Sequence, residues 1–250
     1  MNHRPLFRQA RSLFGSLADF VFPPFCAACH GPMPGRERGA VCSACWSAYP
    51  RWQADACQRC GMPVPVSNEV RLCAQCVIPG WGCAAIRALG PFAAPVSEAV
   101  HLLKYSDRRS VAKKLGGMMA EAVKDDPAYW QADLILAVPL HPARQRERGY
   151  NQAQLLAEQV GNIMSKPAPD KVLVRMKNTG SQTAMNRQER KKNVEDIFRV
   201  KRPDTVRGKS VILVDDVLTT GATIGSCGQS LLRADAKSVL ALTAAAAPLA

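Results

Sequence analysis

The sequence predicts an α/β fold built on a parallel sheet, with a small cysteine-built module preceding it. Three observations predict this. From Asp133 onward, short apolar runs alternate with helix-length segments, the pattern of strands buried on both faces and joined by helical crossovers. Eight of the ten cysteines fall before residue 80, in four Cys-x-x-Cys pairs. Proline and glycine cluster at 78–82 and 90–95, which marks a boundary between two units.

In chain order, residues 1–22 come first. Arg4, Arg8 and Arg11 precede an apolar-rich stretch over 13–22. Asp19 interrupts that stretch and no small-residue cleavage site follows before Pro23-Pro24, so it does not make a secretion signal. Leu6, Leu13, Leu17 and Phe20 lie near helical spacing and predict a short amphipathic helix with a basic face, packed on its own protein. No apolar run reaches the 18 or so residues of a membrane span, so no transmembrane segment is expected and the chain is expected to be cytoplasmic.

Residues 23–80 hold the pairs Cys26/Cys29, Cys42/Cys45, Cys57/Cys60 and Cys73/Cys76, separated by 12, 11 and 12 residues. Each pair sets two thiolates on one side of a tight knuckle, and two facing knuckles supply the tetrahedral S4 shell of Zn²⁺. Gly31 and Gly61, just after a pair, would give the knuckle a permissive backbone. Disulfides would require an oxidising compartment, and a redox motif does not occur as four evenly spaced pairs. Two structural zinc ions follow, forming a double zinc ribbon. Sequential pairing is the simplest arrangement, and an interleaved one uses the same residues. With all eight thiols engaged, no coordination position remains for a catalytic water. Cys83 and Cys227 stand apart as small apolar residues.

The third unit spans 90–250. Residues 96–105 and 111–123 predict two helices joined by a charged turn. Strands are predicted over 134–138, 172–175, 211–214 and 238–243, with helices over 152–164 and 223–234. Ligands of such sheets bind beyond the C-terminal strand ends. There, VILVDDVLTTGAT (211–223) brings Asp215 and Asp216 out of a buried strand. Adjacent carboxylates accept hydrogen bonds from two vicinal hydroxyls of a ribose and help hold a Mg²⁺ shared with pyrophosphate. Thr219, Thr220, Gly221, Ala222 and Thr223 then form a small-residue turn whose N–H groups and hydroxyls open a helix, an anion site. Neither GxGxxG nor GxxxxGK[ST] is present, which excludes those nucleotide-binding frameworks.

Two basic segments accompany this loop. After strand 134–138 comes VPLHPARQRERGYNQ, where a loop carrying Arg144 and Arg148 is a candidate pyrophosphate grip, and His141 a candidate proton donor or ligand. Residues 171–202 carry ten Lys or Arg against three acids. Arg175, Thr179, Gln182, Arg187, Arg190 and Asn193 are its candidate phosphate contacts, on a loop able to close over the site. The whole chain holds 33 Lys and Arg against 20 Asp and Glu, a formal +13, which favours polyanionic partners.

Residues 211–223 resemble the 5-phosphoribosyl-1-pyrophosphate (PRPP) signature of type I phosphoribosyltransferases. The ordered set of four cysteine pairs, HLLKY (101–105), VPLHPARQRERGYNQ (138–152), RMKNTGSQTAMNRQERKKN (175–193) and VILVDDVLTTGAT resembles the ComF family of bacterial competence-related proteins. The resemblance implies a type I phosphoribosyltransferase fold and a role in natural transformation or in the use of DNA as a nutrient. It leaves three functions open. One is a PRPP-binding protein that also holds single-stranded DNA, and another is an active transferase moving ribose 5-phosphate from PRPP to an unknown acceptor, with Asp215 and Asp216 stabilising the oxocarbenium-like transition state. The third is a zinc-ribbon adaptor for DNA-uptake proteins. Seven residues follow the strand predicted over 238–243, too few for a base-recognising hood, so acceptor contacts are expected from 81–130 or from the ribbons. Trp46, Trp52, Trp81 and Tyr150 are the candidate base-stacking rings.

Overall fold

The apolar runs find their partners in a parallel sheet. The computed structural model describes residues 25–33, 40–51, 57, 82–106, 108–176 and 197–247. The predicted helix over 1–22, the ligands Cys60, Cys73 and Cys76, Trp52, Trp81, and the candidates Thr179, Gln182, Arg187, Arg190 and Asn193 lie outside the described residues.

Four strands form the central sheet, β1 (Ala85–Ala88), β2 (Leu134–Ala137), β5 (Ser210–Leu218) and β6 (Ser238–Ala246), in the order β1-β6-β5-β2 and all parallel. The two long strands form its centre, with Val211 opposite Val239 and Val214 opposite Leu242. Their residues are buried on both faces, which is why their sequences are apolar throughout rather than alternating.

Helices cover each face. On one side lie α2 (Val96–Tyr105), α3 (Val111–Ala122) and α6 (Gln152–Met164), packing Leu103, Leu115, Met119, Leu156 and Val160 against Ile135, Ile212, Val214 and Leu242. Val96, Ala99, Val100 and Leu103 are the buried stripe of α2, at the i, i+3, i+4, i+7 spacing of one helix face. On the other side α7 (Ala222–Arg233) sets Ile224, Cys227 and Leu231 against Leu136, Val211, Leu213 and Ala241. Each such side chain contributes about 1.5–3 kcal/mol on burial.

Two short helices complete this unit. α4 (Pro127–Trp130) sends buried Tyr129 into the core, where its hydroxyl donates to the Ala241 carbonyl at 2.8 Å, and α5 (Pro142–Arg148) follows β2.

Two sequence expectations change here. Residues 172–175 do not join the parallel sheet: β3 (Leu173–Arg175) pairs antiparallel with β4 (Phe198–Val200) in a separate two-stranded ribbon. A three-residue apolar run carries no information on its partner. Strand β5 also continues past Val214 through Asp215, Asp216 and Leu218, because the small residues at the end of β6 give it a neighbour to pair with as far as Ala246.

The cysteine module packs directly on this framework. Helix α1 (Ser43–Ala48) ends beside Tyr49, which is buried in the same apolar cluster as Leu89 and Leu242. The Tyr49 hydroxyl donates to the carbonyl of Pro91 at 2.8 Å. Among the described residues no helix is long and apolar enough to cross a membrane.

Candidate functional site

Strand β5 delivers Asp215 and Asp216 to the C-terminal edge of the sheet, where their environments differ. Asp216 is buried, and Lys104 of α2 places its Nζ 2.9 Å from the Asp216 Oδ2. Asp215 is half-buried, and its Oδ1 accepts the Asp216 backbone N–H at 2.8 Å. Burial raises the Asp215 pKa well above the ordinary carboxylate range and the charge of Asp216 adds to this, while the backbone hydrogen bond and Lys104 pull against both.

Beyond Leu218 the chain turns through Thr219, Thr220 and Gly221. Gly221 takes a left-handed conformation (φ 74°) as the N-cap of α7, a shape that favours glycine. The Thr220 hydroxyl accepts the Ala222 N–H at 3.4 Å. Thr219, Thr220, Ala222 and Thr223 are exposed around the opening of this three-turn helix, whose first N–H groups point outward as an anion-binding end. Carboxylates for hydroxyls and a helix N-terminus for a phosphate thus lie within one short stretch of chain.

The basic segment after β2 is built differently from the expected loop. Residues 142–148 form α5, capped by His141, whose Nδ1 accepts the Ala143 N–H at 3.2 Å. His141 is therefore engaged as a helix cap. Gly149 ends α5 in a left-handed conformation, and Asn151 caps α6 while its Nδ2 donates to the Val138 carbonyl. Arg144 is exposed. Arg148 donates to Gln152 Oε1 at 3.0 Å and lies 5.0 Å above the Tyr105 ring. Arg175, at the end of β3, lies 5.7 Å over the Phe198 ring and lines a cleft of about 280 Å³ with Lys171 and Lys201. Asp215 and Arg175 both act electrostatically on the buried Cys227 thiol, whose pKa burial raises.

Tyr150 is buried, with its hydroxyl donating to the Leu103 carbonyl, so it offers no ring to a base. Trp46 is half-buried and packs against the core. Among the described residues the aromatic rings left to solvent are instead Phe25, Phe92, Tyr105 and Trp130. Sequence reasoning missed Lys104 as well as these rings. Lys104 lies in the HLLKY segment, but only the fold shows that this helix end reaches Asp216.

The metal centre is sequential. Cys26, Cys29, Cys42 and Cys45 converge with all four sulfurs within 4.8 Å of one another. Cys26 and Cys45 stand 3.9 Å apart, as do Cys29 and Cys42, close to the roughly 3.8 Å edge of a tetrahedron with 2.3 Å Zn–S bonds. The donor set fits Zn²⁺. Burial works against the Cys26 thiolate, but N–H groups of Cys29, Cys42 and Ala28 outweigh it and lower its pKa to about 6. Cys45, hydrogen-bonded to Cys42 and Cys29, is raised to about 12. Four thiolates this close need a cation to coexist. The positive φ of the knuckle falls on His30 (56°) rather than on Gly31 as expected. Cys57, of the third pair, is buried against the α7 side of the sheet.

Residues 17–77 match the double zinc ribbon domain and residues 105–248 the phosphoribosyl transferase domain. DNA utilization protein YhgH of Escherichia coli (strain K12) is 30% identical over 222 residues, covering 87% of this chain and 94% of that protein. Competence protein F of Haemophilus influenzae is 28% identical over 212 residues, covering 82% and 90%. The chain belongs to the ComF family. Competence protein ComFC of Streptococcus pneumoniae, 27% identical over 203 residues and covering 81% and 86%, extends the ComF resemblance beyond the enterobacterial relatives. Within the ComF architecture the phosphoribosyltransferase domain holds the Asp-Asp turn and the ribbon holds the four-sulfur cluster.

Proposed function

We propose that this protein binds PRPP with Mg²⁺ through its phosphoribosyltransferase-like domain and handles single-stranded DNA during uptake or nutritional use of DNA. The observation that carries the reading is the junction of β5 and α7. There Asp215 and Asp216 precede a left-handed Gly221 and an open helix N-terminus. Asp215 and Asp216 would accept the ribose hydroxyls and help hold the Mg²⁺. Thr219, Thr220, Gly221, Ala222 and Thr223 would surround the 5-phosphate, and Arg144, Arg148, Arg175, Gln182 and Arg187 are the candidates for the pyrophosphate. Mg²⁺ supplies charge neutralisation between the pyrophosphate oxygens when it is bound. The names of the relatives support the DNA role, since one is a DNA utilization protein and two are competence proteins. The net charge of +13 supports a polyanionic partner.

Calorimetry with PRPP and Mg²⁺ tests the site. The wild type is expected to bind and the Asp215→Ala/Asp216→Ala variant to lose measurable binding. Equal affinity in both removes the assignment. A single-stranded oligonucleotide titrated into the same samples should bind with an affinity that falls steeply with salt, and binding that is absent or indifferent to salt removes the DNA role.

Transfer of ribose 5-phosphate to an acceptor is a second reading, supported by the match to the phosphoribosyl transferase domain. Pyrophosphate release from PRPP, measured with and without single-stranded DNA, tests it.

A further inference from the structure

The cleft of about 280 Å³ lies between β2 and β3, two strands that do not pair with one another. Each has one edge taken and one edge open. In the ribbon, the Lys201 N–H donates to the Val172 carbonyl at 2.7 Å and the Met176 N–H to the Ile197 carbonyl at 2.8 Å. Antiparallel bonds fall on alternate residues, so Val172, Val174 and Met176 face β4 while Leu173 points its N–H and carbonyl the other way. In β2, the Val138 N–H donates to the Val214 carbonyl of β5 at 2.8 Å, whereas the Ile135 N–H turns away from the sheet to the Pro167 carbonyl at 2.9 Å. Ala137, two residues beyond Ile135, turns the same way. Leu173 and Ala137 are both buried, and both line the cleft. Among the described residues nothing bonds to the outward N–H and carbonyl of either. Buried backbone groups in native proteins almost always have a partner, and an open strand edge is a template for one.

The lining tells what that partner is. Lys171, Arg175 and Lys201 stand against a single carboxylate, Asp170, whose Oδ1 accepts the Lys171 N–H at 2.7 Å. An acidic occupant matches this balance. Pro139, Leu140, Pro142 and Pro169 add an apolar wall for side chains that alternate with the charged ones. No aromatic ring lines the cleft, so a nucleobase would find nothing to stack on. A phosphodiester backbone offers acceptors alone, whereas each open residue presents a donor and an acceptor together, the complement of a peptide backbone. A second copy of this chain, itself carrying +13, is repelled rather than drawn in.

We infer that this cleft takes an extended acidic segment of a partner protein by strand addition. The segment pairs its backbone with Leu173 and Ala137 and sets carboxylates against Lys171 and Lys201. The paired stretch is about three residues, the length of β3. Asp215, Asp216 and the turn over 219–223 do not line the cleft, so the inference stands apart from the PRPP reading. Arg175 is shared with the pyrophosphate candidates, and the variants below leave it in place.

The test uses the full-length zinc-loaded protein and a displayed library of random eight-residue peptides. Selected peptides should be rich in Asp and Glu alternating with apolar residues, and the tightest one is then synthesised with a fluorophore and a photo-crosslinker. Lys171→Glu/Lys201→Glu should weaken its binding about tenfold, while Lys171→Arg/Lys201→Arg stays within about twofold of wild type. Zinc content and thermal melting verify that both variants fold. N-methylation of the peptide, one amide at a time, should cost about tenfold at alternate positions and little between them, the signature of strand pairing that a purely electrostatic contact lacks. Crosslinks should map to 136–142 or 169–176. Selection of no peptide or of peptides without acidic residues, indifference to N-methylation, or crosslinks elsewhere overturns the inference. So does displacement of the peptide by a ten-nucleotide oligodeoxythymidine that the charge-reversed variant no longer binds, because the cleft is then a nucleic-acid site.

Discussion

Two neighbouring carboxylates at the end of β5 are held in different electrostatic states. Asp216 has the Lys104 ammonium against it, whereas Asp215 has the Asp216 N–H and a more distant pull from Lys104. The raised Asp215 pKa makes a prediction whose sign is fixed by linkage. An unfolded Asp titrates near about 3.9. Between that value and the higher folded one the native state holds more protons than the unfolded state, so stability falls as pH rises through the window. Asp215→Asn removes the cost of ionising this half-buried carboxyl beside Asp216, so its thermal stability in the absence of PRPP should exceed wild type at pH 7. The advantage should shrink toward pH 4, where the native carboxyl is already protonated. A difference that stays constant over pH 4–8 would show that the Asp215 carboxyl titrates normally. The two aspartates and the small-residue turn after them were legible in the sequence as one contiguous motif. Lys104, 112 positions away from Asp216, was not, because no local pattern reports which helix end reaches which strand end.

At the scale of elements, packing overrides propensity at the contact of α3 with α6. Gly116 lies in the interior of α3, where alanine would usually gain about 1 kcal/mol. A Cβ at Gly116 would stand 2.4 Å from the Gln159 Cβ, too close without separating the two helices. Gly116→Ala should therefore destabilise by about 1–3 kcal/mol in denaturant unfolding, as overpacking does. A stabilised variant would mean that α3 and α6 have slack. The elements themselves were largely readable. Helix 152–164 and the long apolar strands announce themselves through period and burial. The ribbon β3–β4 and strand β1 were hidden, as three or four residues such as Phe198–Val200 or Ala85–Ala88 hold too little pattern to separate a sheet member from a connector. The arginine-rich α5 read as a loop because charge dominates its composition, while its helix signals are His141 and Pro142 at one end and Gly149 at the other.

At the scale of the molecule, the cysteine module and the sheet unit share a core through Tyr49, with Gly90 packed against it so closely that a Cβ would stand 2.9 Å from its hydroxyl. Metal binding should then stabilise more than the ribbon. Chelation is expected to release the bound zinc, and Cys26→Ser/Cys45→Ser one zinc per chain, each lowering the melting temperature of the main transition, followed by zinc assay and calorimetry. A sheet unit that melts at the same temperature with and without metal would show that the two parts fold independently. Spacing alone left the pairing of the four cysteine pairs open. The fold settles the first centre, because the strand-like bridge of Phe25 with Pro32 and the Ala27 N–H bond to the Ala40 carbonyl bring the first two pairs together.

Lys104 has one ammonium group and two claims on it. Its Nζ stands 2.9 Å from the Asp216 carboxylate, and its side chain also lines a cleft that it shares with His30 of the first cysteine knuckle. A ligand that recruited this ammonium from one side would change the charge felt on the other, so occupancy of the two sides would be thermodynamically coupled. Such coupling is reciprocal: whichever ligand arrives first alters the affinity for the second by the same factor that it would itself experience in the opposite order. A single side chain on α2 would thereby link whatever occupies the cleft to whatever occupies the Asp-Asp turn.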